Sequence, residues 1–385
     1  MNLRKIATFG AACGVLIASL GVATAANADP ISDGYSIVGS DTLQDAVSAL
    51  ANGTNITGSP VQLTGNAKAL ASWDAFALGV AGGTGKIQTK PYGTVFDRPT
   101  GSGEGRKALL ASFGGPSFTN NLYNNVNVAN QVDLARSSSV GSTAGTALTY
   151  VPFGQDAIGY AFKVGSASGG ADAAAATAAI QALTKGQLGI IYSANTLSAA
   201  STVLSGTGYQ LQPVGLQSGS GTWTTFLSKT GVSSVGTVVD TRNNTAPEND
   251  GRVLTPATNE VQIVPLSVAN YVGQVNGASR INTFNGVAVG SIDGVAAFTG
   301  SAPSLVPNTS YYNSSDWGRT VYIVVPTAKI VQGSSFDQGL FELTNVNSTT
   351  SLTYWGASGS PTTSKAVKLK FGFSSPVGTA TTRNN

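Results

Sequence analysis

The sequence predicts an α/β fold of about two domains. Helical and extended patterns alternate along the chain, which favours helices packed on a sheet. At 385 residues the chain is long for one compact unit. Hydrophobic residues make up 41 % and charged residues only 10 %. That balance supports a real core under a surface of Ser, Thr, Asn and Gly rather than of charges.

The first residues read as a leader. Arg4 and Lys5 form a positive start, Ile6 to Leu20 is small and apolar, and Ala26-Asn27-Ala28 is a cleavage signal before Asp29. A signal peptide over residues 1–28 implies a secreted, extracellular or cell-wall protein. Cys13 is the sole cysteine. Gly10-Ala11-Ala12 precedes it where a lipid box would start with Leu, so the mature chain is expected to lack thiols. Loss of Arg4 and Lys5 lowers the formal net charge from +3 to +1. This near balance argues against nucleic acid or a polybasic membrane contact. No further apolar run of about eighteen residues marks a membrane span. The closing "VGTATTRNN" carries no sorting anchor.

Past the leader, "IVGSDTLQDAVSAL" (residues 37–50) reads as strand, turn and helix. Leu43, Ala46, Val47 and Leu50 share one helical face. Asp41-x-x-Gln44 and Thr42-x-x-Asp45 both fit capping boxes, and Asn52-Gly53 is a natural stop. "RPTGSGEGRKALLASFGG" repeats the plan, with Ser102 before a helix whose apolar face is Leu109, Leu110 and Phe113. "PVGLQSGSGTWTTFLSKTG" does so again, with Trp223, Phe226 and Leu227 on one face and Gly231 at the end. "VDLARSSSVGS" is a strand end followed by Arg136 and serines. "DAAAATAAIQALTKGQLGIIYS" gives a helix from about 171 to 185 and then a short one. "YVPFGQDAIGYAFKV" and "NEVQIVPLSVANYVGQV" are extended and apolar, and "GRTVYIVVPTAKIV" holds a buried strand.

The chain has no histidine. Ser-His-Asp and Cys-His catalysis and histidine-based metal sites are therefore excluded in cis. "QSGSGT" fails as a nucleophile elbow because Ser218 stands where the first Gly belongs. Asp41, Asp45, Asp74, Asp97 and Glu104 sit at no fixed catalytic spacing. No acidic calcium loop is present. No enzyme, metal or cofactor is expected.

Three helix starts carry the chemistry instead. A helix N-terminus offers about four free N–H groups and roughly half a positive charge, a ready anion site. Gly permits close backbone approach, and Ser and Thr add neutral donors. Starts at Ser40-Asp41-Thr42, Ser102-Gly103 and Ser220-Gly221-Thr222 are candidates to converge on one tetrahedral anion. Arg136, beside Ser137 and Ser138, is a candidate charged fork. Plain helix capping remains the alternative for each start.

These motifs resemble those of the phosphate-binding proteins of ABC transporters, the PstS-like group of type 2 periplasmic binding proteins, and especially secreted actinobacterial members. "VGSDTLQDAV", "TGSGEGRKAL", "VDLARSSS" and "GSGTWTTFL" are similar to the family's four ligand segments. "VPFGQDAIGYAF" and "LTKGQLGIIYS" support the spacing. The resemblance is close over about residues 35 to 230 and looser from 265 to 385. It implies a two-domain clamp with the ligand in the cleft. Domain I would be 29–150 plus 265–385, and domain II 151–264. Expected ligand residues are Ser40, Asp41, Thr42, Ser102, Gly103, Arg136, Ser137, Ser138, Ser220, Gly221 and Thr222. Two departures stand out. Leu216 replaces an Arg common in the family, with Ser218 where Asp is common. Ser138 replaces the Asp that accepts the proton of bound phosphate. Arg136 is then the candidate replacement charge, and Asp41, followed by Glu104, the candidate acceptor. The expected ligand is inorganic phosphate or a related oxyanion, delivered by a monomer to an ABC permease. The alternative is a surface or adhesive protein that keeps the fold without tight phosphate binding.

Overall fold

The computed structural model describes residues 29–77, 85–116 and 118–385. The expected signal peptide and Cys13 lie outside the described residues. The fold is α/β, as expected, and is built on a ten-stranded sheet, with four two-stranded sheets beside it among the described residues. The strands and helices that frame the site, in chain order, are β1 (Tyr35–Gly39), α1 (Gln44–Asn52), β2 (Lys68–Ser72), α2 (Ser102–Phe113), β3 (Leu134–Ser137) and β4 (Ala144–Val164). They continue with β5 (Gln210–Pro213), α3 (Gly221–Thr230), β6 (Glu260–Ser267), α4 (Val268–Val275) and β7 (Gly318–Pro326).

The sheet runs β5-β6-β4-β7-β3-β1-β2. β1 is parallel to both β2 and β3. It is buried along its whole length, as a parallel strand covered on both faces should be. The 21-residue β4 stitches the sheet together. Its first part pairs antiparallel with β7 through Gly318↔Ala157 to Pro326↔Leu148. Its last part pairs antiparallel with β6 through Val261↔Val164 to Ser267↔Ile158.

Hydrophobic burial divides along β4. One set of buried side chains, including Ile37, Val47, Phe153, Ile323 and Leu352, gathers around β1 and β7. Another, including Ile158, Tyr160, Tyr192, Phe226 and Ile263, gathers beyond residue 157. Ile292, Leu305, Tyr311 and Trp317 pack into this second core. Apolar residues follow the core their strands face, and Ala288–Val289 pairs with β4 itself.

Glycine decides how closely the first helices approach. Gly39 has φ +106, and a methyl group there would lie 2.7 Å from the Arg136 carbonyl oxygen and 3.2 Å from Gly105 Cα. A methyl on Gly105 would lie 2.6 Å from Gly39 Cα. Only two bare backbones can sit this close. The contact brings the end of β1 against the first turn of α2. Among the described residues, no helix is long and apolar enough to cross a membrane.

Candidate functional site

The three expected helix starts meet at the carboxyl ends of β1 and β3. The first differs from its expected form. Ser40 accepts from the Thr42 N–H at 3.3 Å and caps a short 3-10 turn, Asp41–Leu43. α1 then begins at Gln44 without a side-chain cap. Neither expected capping box forms, because the side chains of Asp41 and Thr42 turn to another partner, Glu248. Leu43, Ala46, Val47 and Leu50 are buried on one face, as expected.

The second start, at Ser102, has no side-chain cap either. Ser102 Oγ instead lies 3.0 Å from Ser138 Oγ and accepts from the Ser138 N–H at 2.9 Å. The third start is capped by Ser220, which accepts from the Trp223 N–H at 3.1 Å. A methyl on Gly221 would lie 2.3 Å from Ser138 Oγ and 3.0 Å from Ser102 Oγ. The Gly-Ser pattern thus serves contact between helix starts as well as capping. Gly103 lines the adjoining cleft, a cavity of about 880 Å³ that also touches Ser102, Ser220 and Gly221.

Glu248 ties the first start to the third. It is 2 % exposed. Its Oε1 accepts from the Thr42 hydroxyl and its Oε2 from the Ser220 hydroxyl. Its N–H donates to Asp41 Oδ2 at 3.1 Å. Burial, and next the Glu248 charge, push the Asp41 carboxyl well above the ordinary carboxylate range. A proton on Asp41 relieves the repulsion between these two buried acids.

Arg319 supplies the cation. Its Nε and Nη2 donate to Asp156 Oδ2 at 3.1 and 2.8 Å, and Nη2 reaches Thr42 Oγ1 at 3.3 Å. Asp156 is anchored in turn by the Ala269 N–H at the start of α4, 2.9 Å away. Asp41 Oδ1 and Arg319 Nη1 in this cluster, and Thr222 Oγ1 at the start of α3, are buried without a hydrogen-bond partner. Buried polar atoms are nearly always paired, so orphans on these helix starts and on Arg319 mark unused capacity for a polar ligand.

Arg136 does not face this cluster, which corrects the expectation of a free fork. It is fully buried. It donates to the carbonyls of Ser40 (2.9 Å), Gly39 (3.0 Å) and Trp73 (2.7 Å), and to Ser72 Oγ (2.8 Å). Burial pushes its guanidinium down to about 10, still charged at neutral pH. The carbonyls at the end of β1 point inward at the turn, and Arg136 is what satisfies them. Glu104 is also engaged elsewhere, accepting from Lys107 at 2.7 Å and Tyr123 at 3.0 Å. Ser137 donates to the Ser139 carbonyl at 2.6 Å and accepts from Arg106 at 3.0 Å. Leu216 is buried in an apolar cluster.

Glu248, Arg319, Asp156 and Arg106 were not singled out from sequence. Arg106 had a signal, since it lies four residues after Ser102 on the same helical face. Asp156 and Arg319 had a weaker one. Each is a lone charge inside an apolar strand, and such charges must pair when buried.

No protein-family model matches this chain, and no curated protein matches it. Solved structures do. A chain from Clostridium perfringens, assigned as a phosphate ABC transporter substrate-binding protein and solved with bound phosphate, is 12 % identical. It covers 89 % of this chain and 99 % of its own, at a TM-score of 0.43. The high-affinity periplasmic phosphate-binding protein PfluDING, bound with phosphate, is 15 % identical over 89 % of this chain and 90 % of its own, also at 0.43. PstS from Borrelia burgdorferi is 13 % identical over 76 % and 86 %, at 0.33. Likeness at this level carries no argument about ligand or site.

Proposed function

We propose that this chain is a secreted solute-binding protein that captures inorganic phosphate or a similar tetrahedral oxyanion in a cleft between two lobes, for ABC import. The reading takes the two hydrophobic cores as the lobes and β4 as one of the segments joining them. One observation carries it. Two helix starts, at Ser102 and Ser220-Gly221, and the 3-10 turn at Asp41–Leu43 come together, and Asp41, Thr222 and Arg319 carry buried polar atoms that lack partners. Helix starts and hydroxyls suit an anion, and Arg319 adds a cation whose Nη2 reaches Thr42. The motif resemblance favours the same ligand class.

A second reading has one observation in its favour. The Glu248 carboxylate already holds the Thr42 and Ser220 hydroxyls. A surface or adhesive protein that keeps the fold without tight phosphate binding would tolerate this. Titration calorimetry on residues 29–385, with phosphate and then sulfate, separates the two. One-to-one binding of phosphate supports the receptor. No heat with either anion supports the surface protein.

A further inference from the structure

The inference rests on the oxyanion reading just given and concerns what occupies that site. Glu248 lies in the loop between two short turns, Arg242–Asn244 and Gly251–Val253. Its two oxygens are held by hydroxyls from two different helix starts, Thr42 on one and Ser220 on the other. A carboxylate held this way is a planar counterpart of a tetrahedral oxyanion. We propose that Glu248 is the resident anion of the site, and that a ligand oxyanion binds by displacing its carboxylate from Thr42 and Ser220.

Charge requires exchange rather than addition. Asp41, Glu248 and Asp156 are all buried here. Arg319, whose Nη2 reaches Thr42, is already paired with Asp156 through two nitrogens. Arg136 spends its donors on carbonyls and Ser72. A further anion beside an intact Glu248 would meet like charge where little water screens it. Removing the carboxylate frees two hydroxyls and one negative charge at once.

Unused donors explain why exchange is favourable. Thr222 Oγ1 and Arg319 Nη1 are buried and unpartnered while Glu248 is in place. The Glu248 carboxylate has two oxygens, and each is held by a hydroxyl. A tetrahedral oxyanion has more oxygens and can take the freed hydroxyls and the orphans together. Glu248 therefore sets specificity as a standing competitor. A monocarboxylate offers nothing that Glu248 does not already provide, so the site selects oxyanions with more acceptors.

The test is calorimetry with inorganic phosphate on residues 29–385 of the wild type, Glu248→Ala and Glu248→Gln, with circular dichroism to confirm folding. Glu248→Ala removes the competitor and is expected to bind phosphate at least tenfold more tightly than the wild type. Glu248→Gln keeps size and one acceptor oxygen but not charge, and is expected to fall between them. It decides the matter if the alanine variant does not fold. Tighter phosphate binding by both variants than by the wild type supports the proposal. A wild type that binds phosphate, with both variants equal or weaker, overturns the proposal and leaves the oxyanion reading standing. No binding by any of the three removes the oxyanion reading, and the proposal falls with it.

Discussion

Replacing Arg136 with methionine is expected to destabilise the protein by about 3–5 kcal/mol. The magnitude follows from what the side chain satisfies. Its loss leaves the carbonyls of Gly39, Ser40 and Trp73 without this donor in a fully buried place. An unsatisfied buried acceptor costs about 1–3 kcal/mol, so three cost roughly 3–9. Relief of the buried cation's desolvation and the packing of the methionine stem return part of this. Urea unfolding of Arg136→Met and wild type gives the difference directly, provided the slopes agree. Against a typical total stability of about 5–15 kcal/mol the effect is large. A loss below about 1 kcal/mol, together with abolished anion binding, would refute the reasoning. Arg136 would then be a ligand fork and not the prop beneath the turn.

Other outcomes follow from the same geometry. Gly221→Ala places a methyl 2.3 Å from Ser138 Oγ. It is expected to push the α3 start away from Ser102 and weaken phosphate binding at least tenfold in a folded protein, read by calorimetry and circular dichroism. Asp41 has a raised folded pKa, so the folded chain keeps a proton that the unfolded chain releases above about 3.8. That contribution is fully present below the unfolded pKa and is lost as pH rises toward the folded one. Asp41→Asn should therefore raise the thermal midpoint near neutral pH and flatten its pH dependence. Lys368 is fully buried, and burial alone pushes its ammonium well below 10.5. Between the folded value and about 10.5 the unfolded chain binds a proton that the folded chain lacks, so stability rises with pH across that window. Lys368→Met should remove this rise from a series of urea titrations. An unchanged slope would show that the folded Lys368 stays charged.

The helix starts were legible because their chemistry is local. Ser, Thr and Gly at a strand-to-helix junction announce free N–H groups within a few residues. The face of Leu43, Ala46, Val47 and Leu50 was legible for the same reason. The partners of those starts were not. Glu248 sits in "TAPENDGRV", a polar loop with no periodicity, and only tertiary folding brings it to Thr42, 206 residues away. Asp156 and Arg319 are 163 residues apart and look like blemishes in apolar strands until β4 pairs with β7. Arg136 misled for an electrostatic reason. A guanidinium next to serines suits an anion, but inward-pointing carbonyls at the end of β1 are nearer acceptors. The capping boxes failed because Glu248 competes for the very side chains that would have closed them.

The central claim is that the three helix starts surround one oxyanion. Co-crystallisation with arsenate tests it most directly, because arsenic gives an anomalous signal that fixes the anion's position. One arsenate per chain is expected, within hydrogen-bond reach of Thr42, Ser220, Thr222 and Arg319, with Glu248 displaced. An arsenate bound elsewhere, or none at saturating concentration with Glu248 still on Thr42 and Ser220, would contradict it.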